Sequence, residues 1–234
     1  MTERHKNNYQ EKIKCKPDTY SRQGDKMTQR FLNAYRTDRQ VKHFQSYKND
    51  KTHWAESELE RCSLRYFEYL DDVVAFEEQP AQFSYIDDRG KQRTYTPDIK
   101  IINTDGEEAY IEVKPQVFTK STRAKERFNH LRVLFDEVKG VEYKYLTDTV
   151  VYEGISNENL KKIHHFRKLK LSKIDIPSLV LALGNSPTFG ELIQYLKPLG
   201  FFKKHAFSIL GNQIYKFDYK QELNEQTILS LSEA

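Results

Sequence analysis

The chain has 234 residues, 38% of them hydrophobic and 13% aromatic, and a net charge of +4. That apolar content is ample for one sizeable core with a smaller companion, which excludes wholesale disorder. No run approaches eighteen apolar residues, the first ten residues are polar, and Cys15 and Cys62 lack any ligand spacing. The expectations are therefore no membrane span, no secretory signal, no disulfide framework or zinc site, and a cytoplasmic setting.

Charge is unevenly placed. Residues 1–50 carry twelve lysines and arginines against six acids, residues 51–154 carry fifteen against twenty-one, and residues 155–234 carry eleven against seven. A basic front, an acidic middle and a basic tail fit polyanion contacts at the flanks and a carboxylate-rich site between them.

Residues 1–40 lack an apolar period and read as a basic arm. A first strand is expected around Val41–Tyr47. From Trp54 to Leu70 the apolar positions recur at three- and four-residue steps, the pattern of an amphipathic helix. Short strands follow at Val73–Phe76, Gln82–Ile86 and Gln92–Thr96, the last two joined by the turn Asp87-Asp88-Arg89-Gly90. A second hairpin joins Ile99–Ile102 to Ala109–Val113 through Asn103-Thr104-Asp105-Gly106. A helix over Lys120–Val138 and a strand over Glu142–Leu146 complete a mixed α/β core spanning 41–153.

After Glu153 the expected elements are a basic helix over Asn159–Leu171, one from Pro177 to Leu183, and one over Thr188–Leu196 with Thr188 and Glu191 at capping-box spacing. A hairpin is expected from Phe207–Leu210 and Gln213–Phe217 across Gly211-Asn212. Helices followed by a small hairpin make residues 154–234 a winged-helix-like module.

The stretch that carries chemistry is Tyr95-Thr96-Pro97-Asp98 followed by Ile111-Glu112-Val113-Lys114. Strand side chains alternate, so Glu112 and Lys114 share a face and Val113 points away from it; a hairpin of this size brings Asp98 alongside. Two carboxylates and an ammonium at one spot suit Mg²⁺, with Mn²⁺ as a substitute, and phosphodiester chemistry. A third carboxylate is available from the helix that carries Glu56, Glu58, Glu60 and Glu68. At 100° per residue, Glu56, Glu58 and Glu60 cannot all face one ion. No phosphate-binding loop of the GxxxxGK[ST] type is present, and the adjacent His164 and His165 diverge on a helix.

With these motifs in order, the sequence resembles the N-terminal nuclease domain of TnsA. The resemblance rests on Ser57-Glu58-Leu59-Glu60, Asp72–Pro80, Tyr95–Asp98 and Ile111–Pro115, with Phe44–Asn49 upstream, and covers roughly residues 42–150. It implies a restriction-endonuclease-like fold with Glu60, Asp98, Glu112 and Lys114 as catalytic residues, the three acids being metal ligands. It also implies cleavage of the strand at the 5′ side of transposon ends in double-stranded DNA, with a TnsB-like DDE transposase and a TnsC-like AAA+ ATPase as partners. Lys48 and the basic run Lys161, Lys162, Arg167, Lys168 and Lys170 are the candidate DNA contacts. A restriction, repair or phage nuclease of the same fold, or an inactive DNA-binding adaptor, is the alternative.

Overall fold

A computed structural model describes residues 41–87 and 90–232. The basic arm of residues 1–40, with Cys15, and the Asp88-Arg89 pair of the first hairpin turn lie outside the described residues. The chain divides between Val151 and Tyr152 into two compact units.

The first unit opens with a hairpin of β1 (Lys42–Ser46) and β2 (Lys51–Ala55), paired antiparallel from Lys42↔Ala55 to Ser46↔Lys51. Phe44, Ser46, His53 and Ala55 turn inward. The helix expected from Trp54 begins later, as α1 (Glu58–Glu68), because Ser57 caps it through its Oγ. Trp54 belongs to β2, where its ring meets that of His43 across the hairpin at 4.1 Å. Apolar spacing alone did not separate the last strand residues from the first helical ones.

The sheet runs β3 (Val73–Glu78), β6 (Ile99–Asn103), β7 (Glu108–Lys114) and β8 (Glu142–Thr147) in that spatial order. The first two pairings are antiparallel and β7–β8 is parallel, so the sheet is mixed. Between β3 and β6 the chain makes a separate hairpin of β4 (Phe83–Ile86) and β5 (Gln92–Tyr95). A 3₁₀ turn over Gln116–Thr119 leads into α2 (Thr122–Leu134), so the helix expected from Lys120 starts only after its cap, Ser121.

Alternation gives the sheet two different faces. Ile99, Ile101, Ala109 and Ile111 pack with Cys62, Leu64 and Phe67 of α1 in an aliphatic core. Tyr110 and Tyr143, pointing the other way, join Phe83 and Tyr95 of the hairpin and Leu131 and Leu134 of α2 in an aromatic core. Glu112 and Lys114 share the parity of Tyr110, which places them on the aromatic side. Val113 packs against the aliphatic core, as alternation requires.

The second unit contains α3 (Ser156–Arg167), α4 (Ile176–Leu183), α5 (Phe189–Leu196) and α6 (Lys203–Gly211). Thr188 and Glu191 form the capping box at the start of α5. The hairpin expected over Phe207–Phe217 does not form. Phe207–Leu210 is helical and buried, and β9 (Tyr215–Lys216) pairs instead with β10 (Ser230–Leu231). Gly211 is not a turn residue: a Cβ there would lie 2.4 Å from the carbonyl oxygen of Ile163, so glycine serves the close approach of α3 and α6.

Candidate active site

The β6–β7 register builds the site. Ile99 pairs with Ile111, and the next step of the ladder sets Asp98 beside Glu112. Pro97 has no N–H to carry the ladder further. Beyond it the Asp98 backbone N–H donates to the Ile111 carbonyl at 3.1 Å, and the Asp98 Oδ2 accepts the Val113 N–H at 2.8 Å. The carboxylate thus replaces a main-chain partner at the point where the strand ends, which fixes its direction.

Glu112 is held from the aromatic core. The Tyr95 hydroxyl donates to its Oε2 at 2.5 Å, and the two tyrosine oxygens of Tyr95 and Tyr143 lie 2.8 Å apart. Tyr95 has one hydrogen, already given to Glu112, so Tyr143 is the donor of that second bond. Burial and the nearby Glu112 charge raise the pKa of all three tyrosines around it, Tyr95, Tyr143 and Tyr145, so each stays a donor. Arg127 places its guanidinium over the Tyr95 ring, 5.7 Å from the centroid. Lys114 Nζ stands 3.8 Å from Glu112 Oε1.

Glu60 comes from the start of α1. Its Oε1 accepts the Ser57 hydroxyl at 2.8 Å and its Oε2 accepts the Glu56 N–H at 2.9 Å, so the Ser-x-Leu-Glu motif is also a helix cap. Gln79 links this corner to β6. Its N–H donates to the Asp98 carbonyl at 2.8 Å, its Nε2 donates to Glu56 Oε1 at 3.0 Å, and it adopts a left-handed φ of 44°. Strain of this kind persists where the surroundings over-determine a residue.

These groups share one electrostatic field. The Asp98 carboxyl is pushed up to about 7 by burial first, then by Glu112, with Glu60 and Glu56 adding to the push and the Val113 N–H opposing it. Glu58 turns away to Arg61 and lies 3.7 Å from Lys42. Angular exclusion on the helix therefore holds for Glu58 but not for Glu56, which precedes the N-cap and is free of helical geometry. Among the described residues no three acidic, histidine or cysteine side chains already meet as a ligand set. The donor chemistry nonetheless fits a hard cation: oxygen ligands with little positive charge among them, one pushed up to about 7 by burial and by its acidic neighbours.

The residues expected from sequence to contact DNA have varied surroundings. Lys48 is a structural residue: its Nζ donates to the carbonyls of Phe67 at 3.0 Å, Leu70 at 2.7 Å and Val73 at 2.5 Å, which uses an ammonium's three hydrogens at the end of α1. In the second unit Lys162 lies over the Phe207 ring at 4.6 Å, and the Arg167 stem faces Gly211. Lys161, Lys168 and Lys170 are exposed. Sequence reasoning missed the roles of Tyr95 and Tyr143, and it named Glu56 but preferred Glu60. Tyr95 lay within the Tyr-Thr-Pro-Asp motif and was open to discovery, whereas Tyr143 arrives from a parallel strand 48 residues later.

Fold and site define the first unit as a mixed-sheet α/β domain with an acid-and-lysine cluster at the end of two strands. Residues 70–148 match the family model of the TnsA-like endonuclease N-terminal domain, so this part of the chain is similar to a TnsA-like endonuclease domain. The matched segment contains Asp98, Glu112 and Lys114 and begins after Glu60. No curated protein matches the chain. No helix among the described residues is long and apolar enough to cross a membrane.

Proposed function

We propose that this chain is the metal-dependent endonuclease subunit of a transposase, hydrolysing one strand at the 5′ side of transposon ends in double-stranded DNA. The observation that carries this reading is the convergence of Asp98, Glu112 and Lys114 where β6 and β7 end, with the Asp98 carboxyl pushed up to about 7 by burial and then by the neighbouring acids. Asp98, Glu112 and Glu60 would hold Mg²⁺ or Mn²⁺. A bound divalent ion supplies a water of lowered pKa and neutralises charge at the scissile phosphate. Lys114 presents ammonium hydrogens to a non-bridging phosphate oxygen as charge builds there. Tyr95 and Tyr143 hold Glu112 in one orientation, so its carboxylate needs no reorganisation.

A TnsB-like DDE transposase and a TnsC-like AAA+ ATPase are the partners in this reading. The second unit serves as a winged-helix-like module for DNA or partner contact. Support for it comes from α4, α5 and α6 followed by the β9–β10 pair, with Thr188 bridged to Ile228 ahead of α5.

The test is a Mn²⁺ titration of the purified chain beside Asp98→Ala and Glu112→Ala, followed by strand-specific nicking of a transposon-end duplex with the partner transposase present. Both substitutions are expected to abolish metal binding and to lower nicking at least a thousandfold (about 4 kcal/mol). Full nicking by Asp98→Ala would end this reading.

A further inference from the structure

The aromatic side of the sheet presents a surface that the acid cluster itself does not use. The turn Gln116–Thr119 leads directly from β7 into α2 and is tied down from behind. The Gln116 N–H donates to Asp148 Oδ1 at 2.6 Å, the Phe118 N–H to the Pro115 carbonyl at 2.9 Å, and Thr119 Oγ1 to the Gln116 carbonyl at 2.8 Å. Yet Val117 and Phe118 are 67% and 61% exposed. Polar groups fix this turn while its apolar side chains face outward, the reverse of what its own stability calls for.

Cations follow at once. Between Lys120 and Arg132 five lysines and arginines stand against the single acid Glu126. Lys120, Arg123 and Lys125 are exposed and form no ion pair among the described residues. Elsewhere in this unit several exposed or half-exposed cations are paired: Lys42 with Glu58, Lys51 with Glu78, Arg93 with Asp87, Lys100 with Glu108 and Lys144 with Glu142. Arg123 and Arg127, four residues apart in α2, share one stripe of that helix, and Lys120 lies just ahead of its cap, Ser121. The stripe ends beside the site, since Arg127 covers the Tyr95 ring whose hydroxyl holds Glu112.

We infer that this ridge, Lys120, Arg123 and Arg127 with Phe118 at its tip, is the surface on which the site grips a DNA duplex. The cations would meet phosphates of one strand and Phe118 would press into the adjoining groove, where apolar side chains contact or wedge between bases. The inference rests on the nuclease reading and adds to it the surface that delivers the substrate. Such a surface is required on physical grounds: Asp98, Glu112, Glu60 and Glu56 repel a phosphate, and cations beside them offset that repulsion. A protein-docking patch would be depleted of charge at its centre, whereas this one is built of unpaired cations.

The experiment is fluorescence anisotropy of the full chain with a duplex oligonucleotide, in Ca²⁺, across a salt series, alongside the Mn²⁺ titration. Each phosphate contact contributes about 0.9 to the slope of log affinity against log salt, so Lys120→Ala/Arg123→Ala is expected to flatten it by about 1.8. Phe118→Ala is expected to weaken binding about tenfold (~1.4 kcal/mol) with the slope unchanged, since an apolar contact releases no counterions. Both variants alter exposed side chains, and an unchanged melting temperature verifies their folding. An unchanged slope in the double variant, or a wild-type chain without measurable duplex affinity, overturns the ridge and leaves a protein as the occupant of Phe118. If that happens while Mn²⁺ binding still depends on Asp98, the nuclease reading stands alone. If Mn²⁺ binding is absent while the slope responds, the ridge stands and the nuclease reading falls.

Discussion

Glu78 and Asp98 lie one residue apart across the β3–β6 pairing, since Glu78 faces Ile99, yet their protons are pulled in opposite directions. Burial raises the pKa of both. At Glu78 that push is overcome by the His53 imidazole against its Oε2, with Lys51 3.5 Å away, and the carboxyl ends below its ordinary value. At Asp98 the neighbours are Glu112, Glu60 and Glu56, and the carboxyl ends near 7. Glu68 extends the Glu78 pattern. It is fully buried, and it accepts the Ser46 hydroxyl at 2.7 Å and the N–H groups of Tyr47 and Lys48 at 3.1 Å each. Acids that serve the fold are ringed by donors. Asp98 has one such donor, the Val113 N–H, and faces other acids, Glu112, Glu60 and Glu56.

After the two acids, the largest effect should come from Lys114, the cation set against the acid cluster. Lys114→Ala is expected to lower strand cleavage a hundredfold to a thousandfold (about 2.7–4 kcal/mol) while Mn²⁺ binding persists, read by single-turnover nicking beside a metal titration. Next, removing one acid from each region should change stability with opposite sign. Glu68→Ala leaves three donors without their acceptor and is expected to cost about 3 kcal/mol. Asp98→Asn keeps an oxygen for the Val113 N–H and removes the unfavourable charge. It is expected to stabilise the metal-free protein by on the order of 2 kcal/mol at pH 8. Urea unfolding in EDTA measures both, and equal destabilisation would erase the distinction between the two regions.

The same contrast predicts a pH dependence. The folded Asp98 carboxyl titrates near 7, above its unfolded value of 3.8, so the folded chain binds that proton more tightly. Its contribution to stability is full below 3.8 and is lost as pH rises through 7. The metal-free protein should therefore melt at a lower temperature at pH 8 than at pH 6. Asp98→Asn should flatten that slope, and a saturating divalent cation should restore the loss at pH 8.

Much of this was legible beforehand because it is local. The hairpin β6–β7 is announced by its turn and by alternation, and these alone set Asp98 beside Glu112 and Lys114 on one face. The capping box at Thr188 and the strand β8 were likewise short-range patterns. Two misreadings share a cause, which is that tertiary contacts decided between equal local readings. Trp54 satisfies helical spacing yet pairs in β2. Phe207–Leu210 alternates no worse than it spirals, and burial against α3 made it a helix. The tyrosines around Glu112 depend on β5 and β8 meeting across the sheet, a distance in sequence that one chain's pattern does not encode.

The smallest expected effect tests whether the aromatic core belongs to the fold or to the site. Tyr95→Phe removes one hydroxyl from a packed ring and leaves the ring's contacts with Phe135 and Tyr143 in place. It takes the bond from Glu112 Oε2 and leaves the Tyr143 hydroxyl without the oxygen it donates to. Stability should fall by about 1 kcal/mol. If the tyrosines only fill the core, Tyr143→Phe should do the same and nothing else should change. If they position Glu112, Tyr95→Phe should also weaken Mn²⁺ binding several-fold, and Tyr143→Phe should weaken it less, because Tyr143 reaches Glu112 only through Tyr95. Equal metal affinity in both variants would return Tyr95 to the core and leave Glu112 oriented by β7 and Lys114 alone.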